Sequence, residues 1–479
     1  MSEARIALNR FGLGGRGDTP PPAAPRRWLV EQFDTYVARP PAIAALPDGV
    51  TQLRAMADYL ADARMARRMR AAVPQPEADM LAATGPADPV RQARRFARLQ
   101  ARDGMAAGVA ARLGIALTTA TPFVERLVHF WSNHFAVSAD KAVLVGLVGP
   151  FEFEAIRPHV LGRYGDMLMA VERHPAMLVF LDQSRSIGPN SLIGQRLARH
   201  DRPGGLNENL AREILELHTL GVRGGYGQAD VGELARALTG WSVSGVGQSV
   251  MAQSRSEPTA DGFAFAANRH EPGGRTVLGR RYDQPGEAQA RAILADLAAH
   301  PATARHIATK LARHFVADEP PPTLVARLER AFLSSGGDLP AVYRALLEAP
   351  EAWTPGSAKF RTPWDWSVAA LRAVNADTLP GLGGAGLFLQ LGQPVWRPGS
   401  PAGWDDTAPS WAAPAALMRR VEAAERIAAR AGQGVDARAL TARLFPDGLS
   451  AATERALARA EDGRQALALL LVSPELLRR

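Results

Sequence analysis

The sequence predicts a mainly α protein: a multi-helix globular array broken by one small β-hairpin at about 261–282 and by a long Pro/Gly/Trp-rich loop at 392–410. Three observations carry this prediction. Alanine, leucine and arginine, all good helix formers, dominate the chain, and aromatic residues make up only 6%. Apolar residues recur at helical spacing along nearly its whole length. The 44 glycines and 36 prolines gather between the periodic stretches rather than within them. At 479 residues the chain is long for a single core. It divides into a helical N-terminal region with a linker (1–87), a central helical body (88–350) and a C-terminal helical region (351–479), together one unit.

Periodicity places helices over 24–38, 51–72, 88–116, 121–135, 149–160, 207–220, 230–240, 286–299, 301–316, 322–333, 338–348, 363–375, 411–430 and 463–478. Several carry end signals. Asp88-Pro89 and Thr362-Pro363 each offer an N-cap followed by proline in the first turn. Asp230 with Glu233 fits a capping box, and Gly221 suits a left-handed helix end. In 261–282 two β-prone arms flank Glu271-Pro272-Gly273-Gly274, which reads as a hairpin with His270 exposed at its turn. The stretch 392–410 is too long for an ordinary connection, so it reads as a functional or packed Ω-type loop.

Composition removes several chemistries. There is no cysteine, which excludes disulfides, thiolate metal sites, iron–sulfur clusters and a cysteine nucleophile. The pI of about 10.3 overstates the basic character, because 53 of the 56 basic residues are arginines and the net charge is only +8. Arg91, Arg94, Arg95, Arg98 and Arg102 share one helical face, with Arg64, Arg67, Arg68 and Arg70 upstream. Without an interleaved aromatic platform they read as a solvated face rather than a nucleic-acid or membrane patch. Residues 1–18 hold no apolar core of signal-peptide length, and runs such as 467–472 are too short to span a bilayer. The expectation is a cytoplasmic protein without a transmembrane segment.

In a chain that uses arginine wherever any cation serves, the three lysines, Lys141, Lys310 and Lys359, mark places that need a compact ammonium. Two constellations concentrate scarce polar residues. In 122–135, Glu125, His129 and Asn133 stand on one helical face, with His134 beside them and Lys141 just beyond. These types can supply a general base or a metal ligand. The five-residue step from His129 to His134 is not a one-face ligand spacing. In 207–221, Glu208, Asn209, Arg212, Glu213 and Glu216 form a polar face, while His218 falls among apolar residues as a hydrogen-bonded core histidine. His306, Lys310 and His314 make a stripe that reads as a chance row on a partly buried helix face. Trp396, Trp404 and Trp411 surround Asp405-Asp406; they read as pins for the long loop, with a sugar-stacking cleft as the alternative.

The segments LNRFGLG, FWSNHF, NENLAREILELHTLGVRGGY, DVGELARALTGW, HEPGGR, ATKLARHF, FRTPWDW and GQPVWRPGSPAGW occur in this order. Through them the whole chain resembles the domain of unknown function 1800 family. The resemblance implies a bacterial protein of no established activity, whose relatives are often exported and often encoded beside a second uncharacterised, secreted-type family. That keeps the periplasm open as a compartment. Relatives tend to carry His-Asp-x-Gly-x-Lys where this chain has His270-Glu-Pro-Gly-Gly-Arg275, which weakens a ligand role for that turn.

Two functions compete. One is an enzyme, acid–base or metal-assisted, with His129, His134, Lys141, Glu213 and Glu216 as catalytic candidates and Asn133, Asn207, Glu208, Arg212, Trp396 and Trp404 as substrate-binding candidates. The other is a binding or assembly protein acting with a co-encoded partner, a polysaccharide or another anionic ligand. No motif names a cofactor or a particular metal.

Overall fold

The computed structural model describes residues 1–55, 89–201, 205–244, 261–356, 359–377, 384–431 and 435–479. Ten helices build much of the fold: α1 (Pro89–Thr118), α2 (Pro122–His134), α3 (Tyr164–Arg173), α4 (Gln228–Leu238), α5 (Glu287–Ala299), α6 (Pro301–Phe315), α7 (Pro322–Ser335), α8 (Pro363–Ala373), α9 (Pro414–Ala431) and α10 (Gly463–Leu471). Their apolar faces meet in one continuous core that runs from Ile6 to Leu476, so the N-terminal, central and C-terminal regions share it. No helix among the described residues is long and apolar enough to cross a membrane.

Two helices lie inside this core. Along α2, Phe123, Val124, Leu127, Val128, Phe130 and Trp131 are buried, and so are Glu125, Arg126, His129 and His134. Every residue of α8 is buried. A helix buried on all sides must settle its polar groups internally. Arg126 of α2 does so by pairing with Asp365 of α8, Nη1 to Oδ2 at 2.9 Å. The start of α8 is as expected, with Thr362 Oγ accepting from the Asp365 N–H and Pro363 in the first turn. The stripe Ala304, Ile307, Ala308, Leu311, Ala312 and Phe315 turns α6 onto the core, and α7 packs beside it.

Four departures from the expected elements have local causes. The helix expected over 207–220 is α-helical only at Asn209–Glu213 and then becomes a π turn at Ile214–His218. The inserted residue shifts the phase, so faces reckoned at 3.6 residues per turn fail beyond Glu213. The stretch 149–160 is similarly divided into a π turn at Phe151–Ile156 and a 3-10 turn at Arg157–His159. The capping box expected at Asp230 and Glu233 does not form: Gly227 is the cap, and only the returning half of a box is present, Asp230 Oδ2 accepting from the Gly227 N–H at 2.8 Å. The β-prone arms of 261–282 do not pair with each other. β1 (Trp241–Val243) pairs with β2 (Phe263–Phe265), and β3 (Arg275–Val277) pairs with β4 (Arg280–Tyr282). Leu278-Gly279, both at positive φ, link β3 to β4. His270 is therefore no turn tip; it is half-buried, with Nδ1 2.9 Å from the Thr239 carbonyl.

The helix expected over 51–72 lies outside the described residues beyond residue 55, as do Asp88 and Arg64, Arg67, Arg68 and Arg70. The side chains of Arg91, Arg94, Arg95 and Arg98 lie outside them too, and Arg102 is exposed.

Candidate functional site

The long loop after residue 391 does not extend into solvent. It folds back over α2 and α6 and closes a cavity of about 490 Å³, walled also by α1 and the start of α8. Glycine-to-backbone approach and indole hydrogen bonds hold it there. Gly403 has φ +80°, and a Cβ at that position would stand 2.3 Å from the Asn133 carbonyl oxygen. Asn133 clamps the next residue in both directions: Nδ2 donates to the Trp404 carbonyl at 2.8 Å, and Oδ1 accepts from the Trp404 N–H at 2.7 Å. Trp396, at φ +52°, donates Nε1–H to Glu152 Oε2 at 2.9 Å. Trp411 donates to the Asp405 carbonyl. Asn133→Ala is expected to cost about 1–2 kcal/mol through the two lost bonds. It is also expected to speed proteolytic cleavage within 392–407; an unchanged cleavage rate would mean that Asn133 does not hold the loop.

One wall is a buried charge network. Glu152, on the π turn, is fully enclosed and accepts from Arg112 Nε at 2.9 Å and Ser132 Oγ at 2.6 Å, besides Trp396. The Arg112 guanidinium lies over Trp364, 4.2 Å from the ring centroid, and 5.8 Å from that of Trp396. Its terminal amino groups have no protein partner among the described residues. His129 stands beside it. Trp364 Nε1–H donates to His129 Nδ1 at 3.2 Å, so the neutral ring carries its proton on Nε2, 3.5 Å from Glu125 Oε1. Burial and the Arg112 charge lower the His129 pKa. Glu125 stays ionised: burial works to raise its pKa, but Arg157 and His129 outweigh it and hold it at about 2. The Nε2 of His129 approaches Glu125 without a hydrogen bond, and Nδ1 is taken by Trp364.

A second wall is α6. Lys310 and His314 stand one turn apart and both line the cavity. His314 Nδ1 lies 2.8 Å from Asp406 Oδ2, an acceptor, so Nδ1 carries the proton and Nε2 keeps its lone pair with no partner. Burial, aided by Arg479 and Arg126 against the opposing Asp406, pushes the His314 pKa down to about 4. Asp406 is itself held by Lys359 (3.5 Å) and Arg479 (3.8 Å). The Lys310 ammonium has no hydrogen-bond or ion-pair partner among the described residues, and burial, with Arg313 adding and Asp406 opposing, pushes its pKa down to about 8. His134, from α2, lies at Nε2 3.2 Å from the His218 carbonyl, which leaves Nδ1 unpartnered. Burial, with the Lys310 charge next, lowers its pKa well below the ordinary histidine value. The cavity thus combines neutral imidazoles with cationic heads.

Of the residues singled out from sequence, the cavity gathers His129, Asn133, His134, Trp396 and Trp404. It does not gather the others. Lys141 ties its Nζ to the Val179 and Phe180 carbonyls and to Asp182 Oδ2 at 2.8 Å. Asn207 starts the 209–218 helix, accepting from the Asn209 N–H and donating to the Leu181 carbonyl. Glu208 and Arg212 bond each other and Gln228. Glu213 is partly buried, which raises its pKa, and Glu216 faces Tyr226. His218 is a core histidine, its Nδ1 2.7 Å from Glu172 Oε1. Among the described residues no group of three or more His, Asp or Glu side chains converges to hold a metal ion.

Sequence reasoning passed over Arg112 and Glu152, set aside Lys310 and His314, and placed Asp406 only among the loop tryptophans. The scarcity of lysine and its four-residue step to His314 were legible signals. The pairing of Asp406 with His314 had none, since it spans 92 residues of chain. A family model described as a protein of unknown function, DUF1800, matches residues 6–478. No curated protein and no solved structure matches the chain.

Proposed function

Since the chain belongs to the DUF1800 family, whose description names no activity, we propose from the cavity's own chemistry that the protein is an enzyme performing acid–base catalysis on a small anionic molecule. The observation that carries this reading is the Asp406–His314 pair. The carboxylate orients the imidazole and fixes its tautomer, leaving Nε2 as a lone-pair nitrogen in a residue that lines the cavity. Lys310 and the terminal amino groups of Arg112 lack carboxylate partners and supply the positive charge that draws an anion. Trp404, half-buried at the loop, gives the cavity an apolar flank. In this reading His314 abstracts a proton, and the cations stabilise the charge that develops on the substrate.

The test works with the substrate still unidentified. Small carboxylates and phosphate esters are incubated with the protein in deuterium oxide and followed by proton NMR. The expected result is exchange or turnover of at least one compound, slowed by about 10²–10⁴ in His314→Asn. No exchange with any compound, or an equal rate in the variant, would overturn the proposal.

A further inference from the structure

Resting on that reading, we infer that Lys310 is a covalent catalyst: its Nζ condenses with the carbonyl of a small oxo acid to form an imine, while Arg112 holds the carboxylate. Four features of the cavity support this. First, the three lysines differ in how they are used. Lys141 is spent on Asp182 and two carbonyls, and Lys359 on Asp318 at 2.6 Å and on Asp406, whereas Lys310 has no partner among the described residues. Arginine would have served for charge alone, as it does throughout this chain.

Second, Lys310 is set among groups that favour a free amine. His306 and His314 flank it one turn to either side on α6, His134 faces it from α2, and burial keeps all three imidazoles neutral. Arg313 adds a like charge, and only Asp406 opposes. Burial leads these effects, so about half of the amine is unprotonated near pH 8. Third, Arg112 and Lys310 line the one cavity from different helices, α1 and α6. A molecule with a carboxylate at one end and a carbonyl at the other can meet both. Fourth, a volume of about 490 Å³ holds such a molecule with room to spare.

The step balances without an added oxidant or reductant. The Nζ lone pair attacks the carbonyl carbon to give a carbinolamine. A carbon–nitrogen double bond then forms as the carbon–oxygen bond breaks. The oxygen leaves as water with both amine hydrogens, carried by His314 or solvent.

The experiment incubates the protein at about pH 8 with glyoxylate or succinic semialdehyde and cyanoborohydride, which reduces an imine to a stable secondary amine. With three lysines in the chain, peptide mapping reads the site directly. The expected result is one adduct per chain at Lys310, formed about tenfold faster or more than at Lys141 or Lys359, and faster than at the α-amine because Arg112 captures the carboxylate beside Lys310. Lys310→Arg, shown to be folded by circular dichroism, forms none there. Malonate, an anion with no electrophilic carbonyl, is titrated in parallel by calorimetry. An even spread of label over the amines, with malonate still bound, overturns the imine and leaves the anion site standing. An even spread with no malonate binding overturns both.

Discussion

Asp365→Ala is expected to destabilise the protein by about 3–5 kcal/mol, because removing one partner of a buried ion pair strands the other. Asp365 faces two guanidinium groups. Arg126 Nη1 lies at 2.9 Å and Arg479 Nε at 3.1 Å, and both side chains are almost fully enclosed. Burial works to raise the Asp365 pKa, yet Arg126 and Arg479 together hold it far below the usual carboxylate range. A carboxylate depressed in the folded state contributes stability above its unfolded pKa and loses it only as the pH falls through the folded value. The Asp365 contribution therefore persists through mildly acid conditions. Urea denaturation at neutral pH measures the loss. Asp405→Ala is the control: Asp405 is exposed and its carboxylate bonds the Ser410 hydroxyl, so a change within about 0.5 kcal/mol is expected. Equal effects from the two substitutions would remove the buried pair from the account of stability.

Acid is expected to unfold the protein by a second route, through its histidines. His306 and His314 both titrate near 4 in the folded state, against 6.5 for a free side chain, and burial is the leading cause for each. The unfolded chain thus binds more protons between these values. The stability of the neutral rings is present above pH 6.5 and is lost as the pH falls toward 4. Each ring adds a slope of about 1.4 kcal/mol per pH unit, so the two together give about 2.7. His129 and His134 are lowered as well and steepen the loss. Glu125 continues it between 4.5 and about 2. Urea midpoints taken at half-unit pH steps test this. A steep fall that flattens in His306→Gln/His314→Asn is the expected pattern, and a midpoint independent of pH over this range would contradict it.

How much of this was legible in the sequence depends on the distance over which each feature is made. Local features were readable. The Thr362-Pro363 start, the helical α6 stripe and the mainly α character follow from periodicity and capping within a few residues. His218 as a core histidine followed from its position among leucines. The π turns were not readable, because a single inserted residue leaves no compositional mark and still rotates everything beyond it. The partner of the β-prone arm at 263–265 lay upstream at 241–243, across a stretch far longer than a hairpin loop, so local pattern did not point to it.

The site divides in the same way. His129, Asn133 and His134 belong to one helix, and their concentration of scarce types was visible. The second constellation, around Glu208 to Glu216, looked equally dense but folds into helix-start and surface bonds. Its sequence density came from side chains satisfying one another, which composition cannot tell from a site. The loop tryptophans illustrate the converse. Trp396 does pin the loop, through Glu152, and the loop so pinned is what closes the cavity. Pinning the loop and lining a cleft are thus one arrangement. Asp406, Lys310 and Arg112 meet only because the loop, α6 and α1 converge in three dimensions.

The most direct test of the central claim, that this cavity is an anion-binding catalytic site, is a thermal-shift screen of small organic acids and phosphates. It is run on the wild type, on Lys310→Met and on Arg185→Gln, which removes an exposed arginine remote from the cavity lining. The account predicts that at least one anion raises the wild-type melting temperature, by the equivalent of about 2.7 kcal/mol at a hundredfold excess over its dissociation constant. The rise should persist in Arg185→Gln and vanish in Lys310→Met. No stabilising anion, or an equal rise in all three proteins, would contradict it.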